Sequence, residues 1–213
     1  MEFMTTVSRI KKGVFLIGVF LSCAVMLGWA DSWEDIRRES AKIKSVSAHF
    51  SQEKHLQILS RPIVSKGLFY FQTPDSVRWE YISPIRSVLL MQKGNIRRYT
   101  VGSRGLVEDK GGSLESMQIV LQEISRWSTG QFTANENFSA SLKGGRGVQI
   151  ILTPKENGLS SMISRIVITL SPDRPGVIKS VKITETEGNY TLFEFADVQI
   201  NGKISESLFR EVG

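Results

Sequence analysis

The chain has 213 residues, of which 41% are hydrophobic and 9% aromatic, enough to bury one sizeable core. Setting aside the first thirty residues removes Arg9, Lys11, Lys12 and Glu2, so 24 bases face 20 acids, a net of +4 that is too mild to argue for nucleic acid as a partner. The single cysteine, Cys23, lies in that same stretch, so no disulfide staples the remainder and stability must come from a packed core.

Arg9, Lys11 and Lys12 precede an apolar run from Gly13 to Leu27, and Gly28, Trp29 and Ala30 supply small residues before a cut. The run is short for a membrane span and polar sequence follows at once. This predicts a signal peptide over residues 1–30, cleaved after Ala30, with residues 31–213 exported as a single domain. A cut at Cys23 would make a lipoprotein of the chain itself, but Phe20, Leu21 and Ser22 fit that motif poorly and would strand Ala24 to Leu27 behind the anchor.

Ser32 and Asp35 open a capping-box-like start. Trp33, Ile36, Ser40 and Ile43 then recur at spacings of three and four, which predicts a helix over 32–44. From Val46 the period changes to two, and residues 46–84 read as three successive strands. Gly67, Phe69, Phe71 and Thr73 share one face of the second, ending at the turn Pro74, Asp75, Ser76. Val77, Trp79 and Tyr81 share a face of the third, opposed by Arg78, Glu80 and Ile82. A sheet with one aromatic face and one mixed face is antiparallel.

Residues 88–92 and 96–101 flank Lys93, Gly94 and Asn95, a hairpin signal. Gly102 to Gly112 reads as a polar, glycine-rich loop and hinge. Beyond it Leu114, Met117, Leu121, Ile124 and Trp127 form one stripe of a second helix, with Val120 beside them, that Gly130 ends. Such a stripe must lie on another apolar surface, and the aromatic face of the sheet is available. Strands are then expected over 138–142, 148–154, 163–170, 178–185 and 190–198. Roughly ten or eleven strands in a meander exceed what a flat open sheet usually carries, so the sheet should curl around something.

No catalytic constellation is evident. His49 and His55 are six residues apart, about 20 Å along a regular strand and too far to share a metal. No serine sits in a nucleophile-elbow setting. A strand follows Gly144, Gly145, Arg146 and Gly147, which suits a hairpin turn better than a phosphate cradle. Arg78, Arg97, Arg98 and Arg104 read as a solvated face, with a docking patch for headgroups or an acidic partner as the functional alternative. The expectation is a protein without enzymatic activity, metal or cofactor.

The series Ser47 to Gln52, then Gly67, Leu68 and Phe69, then Pro74 with Val77 to Tyr81 and Pro84, resembles the periplasmic lipoprotein carrier family LolA. The resemblance implies a mainly β fold, an incomplete antiparallel barrel that encloses a hydrophobic cavity under an α-helical lid. It implies a monomeric periplasmic carrier with acylated lipoproteins as cargo. The carrier would take them from an inner-membrane lipoprotein-releasing ABC transporter and pass them to an outer-membrane acceptor. Cavity positions implied by the family are Phe69, Phe71, Thr73, Val77, Trp79 and Tyr81, with Val88 and Leu90 on the next strand. Lid positions are Trp33, Ile36, Ile43, Leu114, Met117, Leu121 and Ile124. The family's lid-latching arginine before the strand-two proline is replaced by Thr73, and Arg78 faces the wrong way to substitute. The alternatives are a carrier or sensor of another lipid, such as a glycolipid or polyene, and a regulatory module of the kind that binds an anti-sigma factor. That module carries an added C-terminal domain for which a chain ending at Gly213 leaves no room. A lipid hydrolase would need a convergent acid, base or nucleophile in the cavity.

Overall fold

The computed structural model describes residues 33–103, 105–109, 122–145, 147–155, 159–185 and 188–212. Helix α1 spans Trp33–Ser40, shorter than the spacing predicted, because the chain turns at 41–42 to enter the sheet. Strands follow as β1 Ser45–His55, β2 Ile63–Gln72, β3 Ser76–Ser83, β4 Ser87–Gln92, β5 Asn95–Gly102 and β6 Gly105–Asp109. Helix α2 occupies 122–128, and Gly130 with φ of +78° closes it, as the sequence indicates. Leu114, Met117, Val120 and Leu121 lie outside the described residues. The chain then runs through β7 Phe138–Lys143, β8 Gln149–Pro154, β9 Ile163–Leu170, β10 Ile178–Glu185 and β11 Tyr190–Ile200, ending near a 3-10 turn at Glu206–Phe209.

All eleven strands belong to one antiparallel sheet in the order β6-β5-β4-β3-β2-β1-β11-β10-β9-β8-β7. Nine of the ten strand pairings join chain neighbours; the tenth, at the centre, pairs β1 with β11 and joins an N-terminal meander to a C-terminal one. β6 and β7 remain the two edges, which makes the barrel incomplete. The stretch read as a loop from Gly102 contributes β6 instead: Arg98 pairs Asp109 and Gly102 pairs Gly105, so edge pairing with β5 overrides a glycine-rich composition.

Two devices bend the sheet. Across β1 and β11 the register shifts between Ser47 and His49, opposite Asp197 at φ of +52°, a bulge that turns the strand. At Gly67 the Phe50 ring lies against the strand so closely that a Cβ would fall 2.6 Å from its Cζ atom. Only glycine lets β2 pass beneath that ring.

The concave side carries two cores. One is built on β1 to β4 from Phe50, Phe69, Phe71, Val77, Trp79 and Met91. The other is built on β7 to β10 around Phe138, Ile150, Leu152, Ile166 and Ile168, and it takes Ile36 of α1 and Trp127 of α2. Phe193, Phe195 and Ile124 touch both.

The convex face of β3 is not a solvated charged face. The Arg78 guanidinium, 6% exposed in its side chain, donates to Glu80 Oε2 at 2.7 Å and through Nη1 to the carbonyls of Leu208 and Glu211. Arg86 donates to the other Glu80 oxygen at 3.1 Å. The 3-10 turn lies against β3 and β4, and its Phe209 is buried. Arg78 is therefore a strap for the C-terminal segment rather than part of a basic patch.

Glu80→Ala leaves that guanidinium buried with two carbonyls and no carboxylate, and breaking a buried pair costs about 3–5 kcal/mol. A loss near the lower bound is expected in urea unfolding. An unchanged midpoint would mean that the C-terminal carbonyls alone hold Arg78.

Candidate functional site, an apolar hollow

Between the two cores lies a hollow of about 350 Å³. Its floor is the concave sheet: Val46 and Ala48 from β1, Phe69 from β2, Trp79 and Tyr81 from β3, and Ser87 and Leu89 from β4. Its far wall is Ile178, Val181 and Ile183 of β10 with Phe193, Phe195 and Val198 of β11. Ile43, after α1, and Ile124, Trp127 and Ser128 of α2 cover it.

The strand register explains which side chains meet. Arg98, Leu89, Trp79, Phe69 and Ala48 are consecutive partners across β5 to β1 and form one row on the concave face. Thr100, Ser87, Tyr81, Gly67, Phe50 and Phe195 form the next. Trp79 is the hub, with ring centroids 4.8 Å from Phe50, 5.2 Å from Phe69, 5.2 Å from Phe193 and 6.2 Å from Phe195. Its neighbours stand tilted or edge-on, the arrangement favoured between aromatic quadrupoles.

Of the residues singled out from sequence, Phe69, Trp79, Tyr81, Ile43 and Ile124 line the hollow. Phe71 and Val77 share the concave face but are fully buried in the β1 to β4 core. Thr73 sits past the end of β2, where its N–H bonds the Lys44 carbonyl at 2.9 Å. Val88 and Leu90 pair with Glu80 and Arg78, so their side chains stand on the convex face; Val88 borders the hollow between Ser87 and Leu89. Trp33 and Ile36 are seated on the β7 to β10 core. The β10 and β11 wall was not expected, although Val181 with Ile183 and Phe193 with Phe195 carry the period-two signal that marks it.

Two polar features interrupt the walls. Tyr81 Oη donates to Gln52 Oε1 at 2.6 Å. Burial pushes its phenol up to about 12, against a smaller opposing pull from the Trp79 indole and the Arg98 charge. Trp79 Nε1 itself is buried and closes no hydrogen bond. Arg98 reaches the hollow from β5, with Nη1 3.6 Å from Asp109 Oδ2.

The cover is fixed by close backbone contact. Ser40, fully buried at the end of α1, donates from Oγ to the Gly176 carbonyl at 3.3 Å. Gly176 has φ of +84°, and a Cβ there would lie 2.7 Å from Ser40 N, while one on Gly130 would strike the Ser40 side chain. Ser40 is thus gripped between the end of α2 and the turn before β10.

Among the described residues no group of three His, Cys, Asp or Glu side chains is placed to hold a metal, and no helix is long and apolar enough to cross a membrane. His49 faces Asp197 and His55 stacks on Tyr190, each apart from the hollow.

Residues 41–211 match the family described as outer membrane lipoprotein carrier protein LolA. The chain belongs to this family. Relatives within it include the outer-membrane lipoprotein carrier proteins of Pseudoalteromonas translucida, 23% identical over 205 residues, and Proteus mirabilis, 25% over 198 residues. The first alignment covers 93% of this chain and 91% of the relative, the second 88% and 90%. A chain of the Pseudomonas aeruginosa MucA/MucB complex shares the fold at a TM-score of 0.50 and 14% identity, over 85% of this chain and 60% of that one. A LolA superfamily protein from Nitrosomonas europaea gives a TM-score of 0.40 at 7% identity, over 84% and 98%.

Two outcomes follow from this geometry. Gly176→Ala is expected to lower stability by more than about 1 kcal/mol in urea unfolding, because a positive φ and the Ser40 contact both oppose a Cβ, whereas Ser40→Ala lowers it less. Equal effects would place the grip in the hydroxyl. The raised Tyr81 phenol contributes stability that is full below pH 10 and is lost as pH rises towards 12. Tyr81→Phe should flatten that limb of the pH–stability curve, and an unaltered limb would assign it to another group.

Proposed function

We propose that the protein is a periplasmic carrier that shields the acyl chains of lipoproteins in this hollow and moves them from the inner to the outer membrane. It does so without catalysis, as a monomer exported by cleavage after Ala30, with residues 31–213 acting as one carrier domain. The observation that carries the reading is the unfilled space itself: among the described residues a wall of rings and aliphatic side chains is left unpacked under α2 and the segment between α1 and β1. Family membership and the names of the relatives support the same role.

Physical chemistry sets the demand. Exposing an anchor of some 45 methylenes to water costs roughly 35 kcal/mol, at about 0.8 kcal/mol each, so a lipoprotein does not cross an aqueous space bare. Non-directional apolar walls hold chains without fixing their register, which leaves release feasible. The hollow is near the lower end of the range of about 300–1,000 Å³ typical of ligand sites. Several chains therefore require α2 and the segment after α1 to lift.

The rim next to Tyr81 and Ser87 suits entry. Ile58 and Ile85, in the turns after β1 and β3, and Ile63 and Ile82, at the adjoining ends of β2 and β3, are exposed, at 89%, 70%, 46% and 53%. An aliphatic fringe of this kind marks a contact surface. On this reading the inner-membrane ABC transporter delivers cargo and an outer-membrane acceptor removes it.

The test is recovery of the exported protein from periplasm with mass spectrometry of what it holds. Lipoprotein or acylated peptide is expected with the wild type and at least tenfold less with Ile183→Glu, which puts a charge in the half-buried wall of β10. Recovery of a glycolipid or polyene instead would assign another cargo. An empty protein under conditions that retain the cargo of the related carriers, or full loading of the variant, would overturn the reading.

A further inference from the structure

The hollow is not uniformly apolar: apart from Ser128 in the cover, its polar side chains gather on one flank of the sheet. Arg98 is the single charged residue among the described residues of its wall. In the register it stands beside Leu89, and Leu89 beside Trp79, so the guanidinium and the indole belong to one row. Ser87 and Thr100 are partners in the next row, on the same flank, with the Tyr81 hydroxyl following. The opposite flank, on β10 and β11, offers only aliphatic and phenyl groups to the hollow.

Two of these groups are incompletely used. Trp79 Nε1 is a buried donor that closes no hydrogen bond of good geometry, although the Tyr81 hydroxyl feels its pull, and native interiors rarely leave such a donor without a reason. Arg98 is about one third exposed and approaches Asp109 at 3.6 Å, longer than a hydrogen bond. An ion pair so exposed and so long is weak and exchanges readily for a better acceptor. The planar guanidinium presents a fork matched to a carboxylate or phosphate.

We propose that this flank seats the acidic head of an anionic acyl amphiphile, with Arg98 and the Trp79 indole N–H as donors and the tail lying across the row towards Val181 and Ile183. This rests on the reading of the hollow as an acyl-chain site. In this arrangement the acid replaces Asp109 of β6 as the acceptor facing Arg98. The shared chemistry is an acid head on an acyl chain, so a long-chain carboxylate and a phosphate-headed lipid are both candidates.

The experiment is displacement of a fluorescent acyl probe from the full exported protein by palmitate, by lysophosphatidate and by hexadecanol, the uncharged isostere of the first. Wild type is expected to bind at least one of the acids roughly tenfold more tightly than the alcohol. Arg98→Met, which keeps the stem and removes the charge, should erase that preference, the acids falling to the affinity of the alcohol. Asp109→Asn should strengthen it, and Trp79→Phe should weaken acid binding more than alcohol binding. Equal binding of acids and alcohol by the wild type, or a preference that survives Arg98→Met, overturns the inference and leaves the carrier standing. Failure of all three to displace the probe, or of the probe to bind, overturns the reading of the hollow itself.

Discussion

An apolar face that is longer than the material available to cover it is the constraint from which this structure follows. One continuous sheet of eleven strands carries its rings and branched aliphatic side chains on the same side. Curling buries most of them, since each half of the sheet packs its own core. At the junction, where β1 meets β11, Phe193, Phe195 and Ile124 bridge the two cores, yet a hollow is left between them. Two short helical segments roof that junction without filling it. A polar substitution of the face would let the sheet flatten, and a larger helical layer would pack it solid; the described residues do neither.

The roof is held by shape more than by charge. The family arginine implied for the end of β2 is Thr73 here, and its backbone bonds the segment after α1. The grip instead falls to Ser40, caught between two glycines whose missing side chains let three backbones meet. Contacts of this kind are short in reach, so they hold a closed cover firmly and lose their hold once it moves by a small distance. That behaviour suits a protein that must take in and give up a large apolar guest.

Much of this was legible in the sequence because period-two alternation states which residues share a face. The register sets Phe69, Trp79 and Tyr81 on one face, as that period indicates. Strand β4 was not legible in the same way: Val88, Leu89, Leu90 and Met91 are apolar at every position, so alternation says nothing of which pair faces inward. Only the register with Trp79 decides it, in favour of Leu89. Arg78 carries the signature of a solvated strand charge, and it is buried by a C-terminal segment some hundred and thirty residues away. The edge strand β6 likewise owes its form to its partner β5 rather than to its own composition. What sequence reading lacked in each case was the identity of the neighbour across the sheet.

The central claim is that an acyl chain enters the space between the cores, and indole emission reports on it directly. Trp79 and Trp127 line the hollow, whereas Trp33 is seated on the β7 to β10 core away from its wall. Titration of a protein of residues 31–213 with a brominated acyl chain should quench emission saturably, and most of that quenching should vanish in a Trp79→Phe, Trp127→Phe double variant that remains folded. Quenching that persists undiminished in the double variant, or its absence from the wild type, would contradict the account.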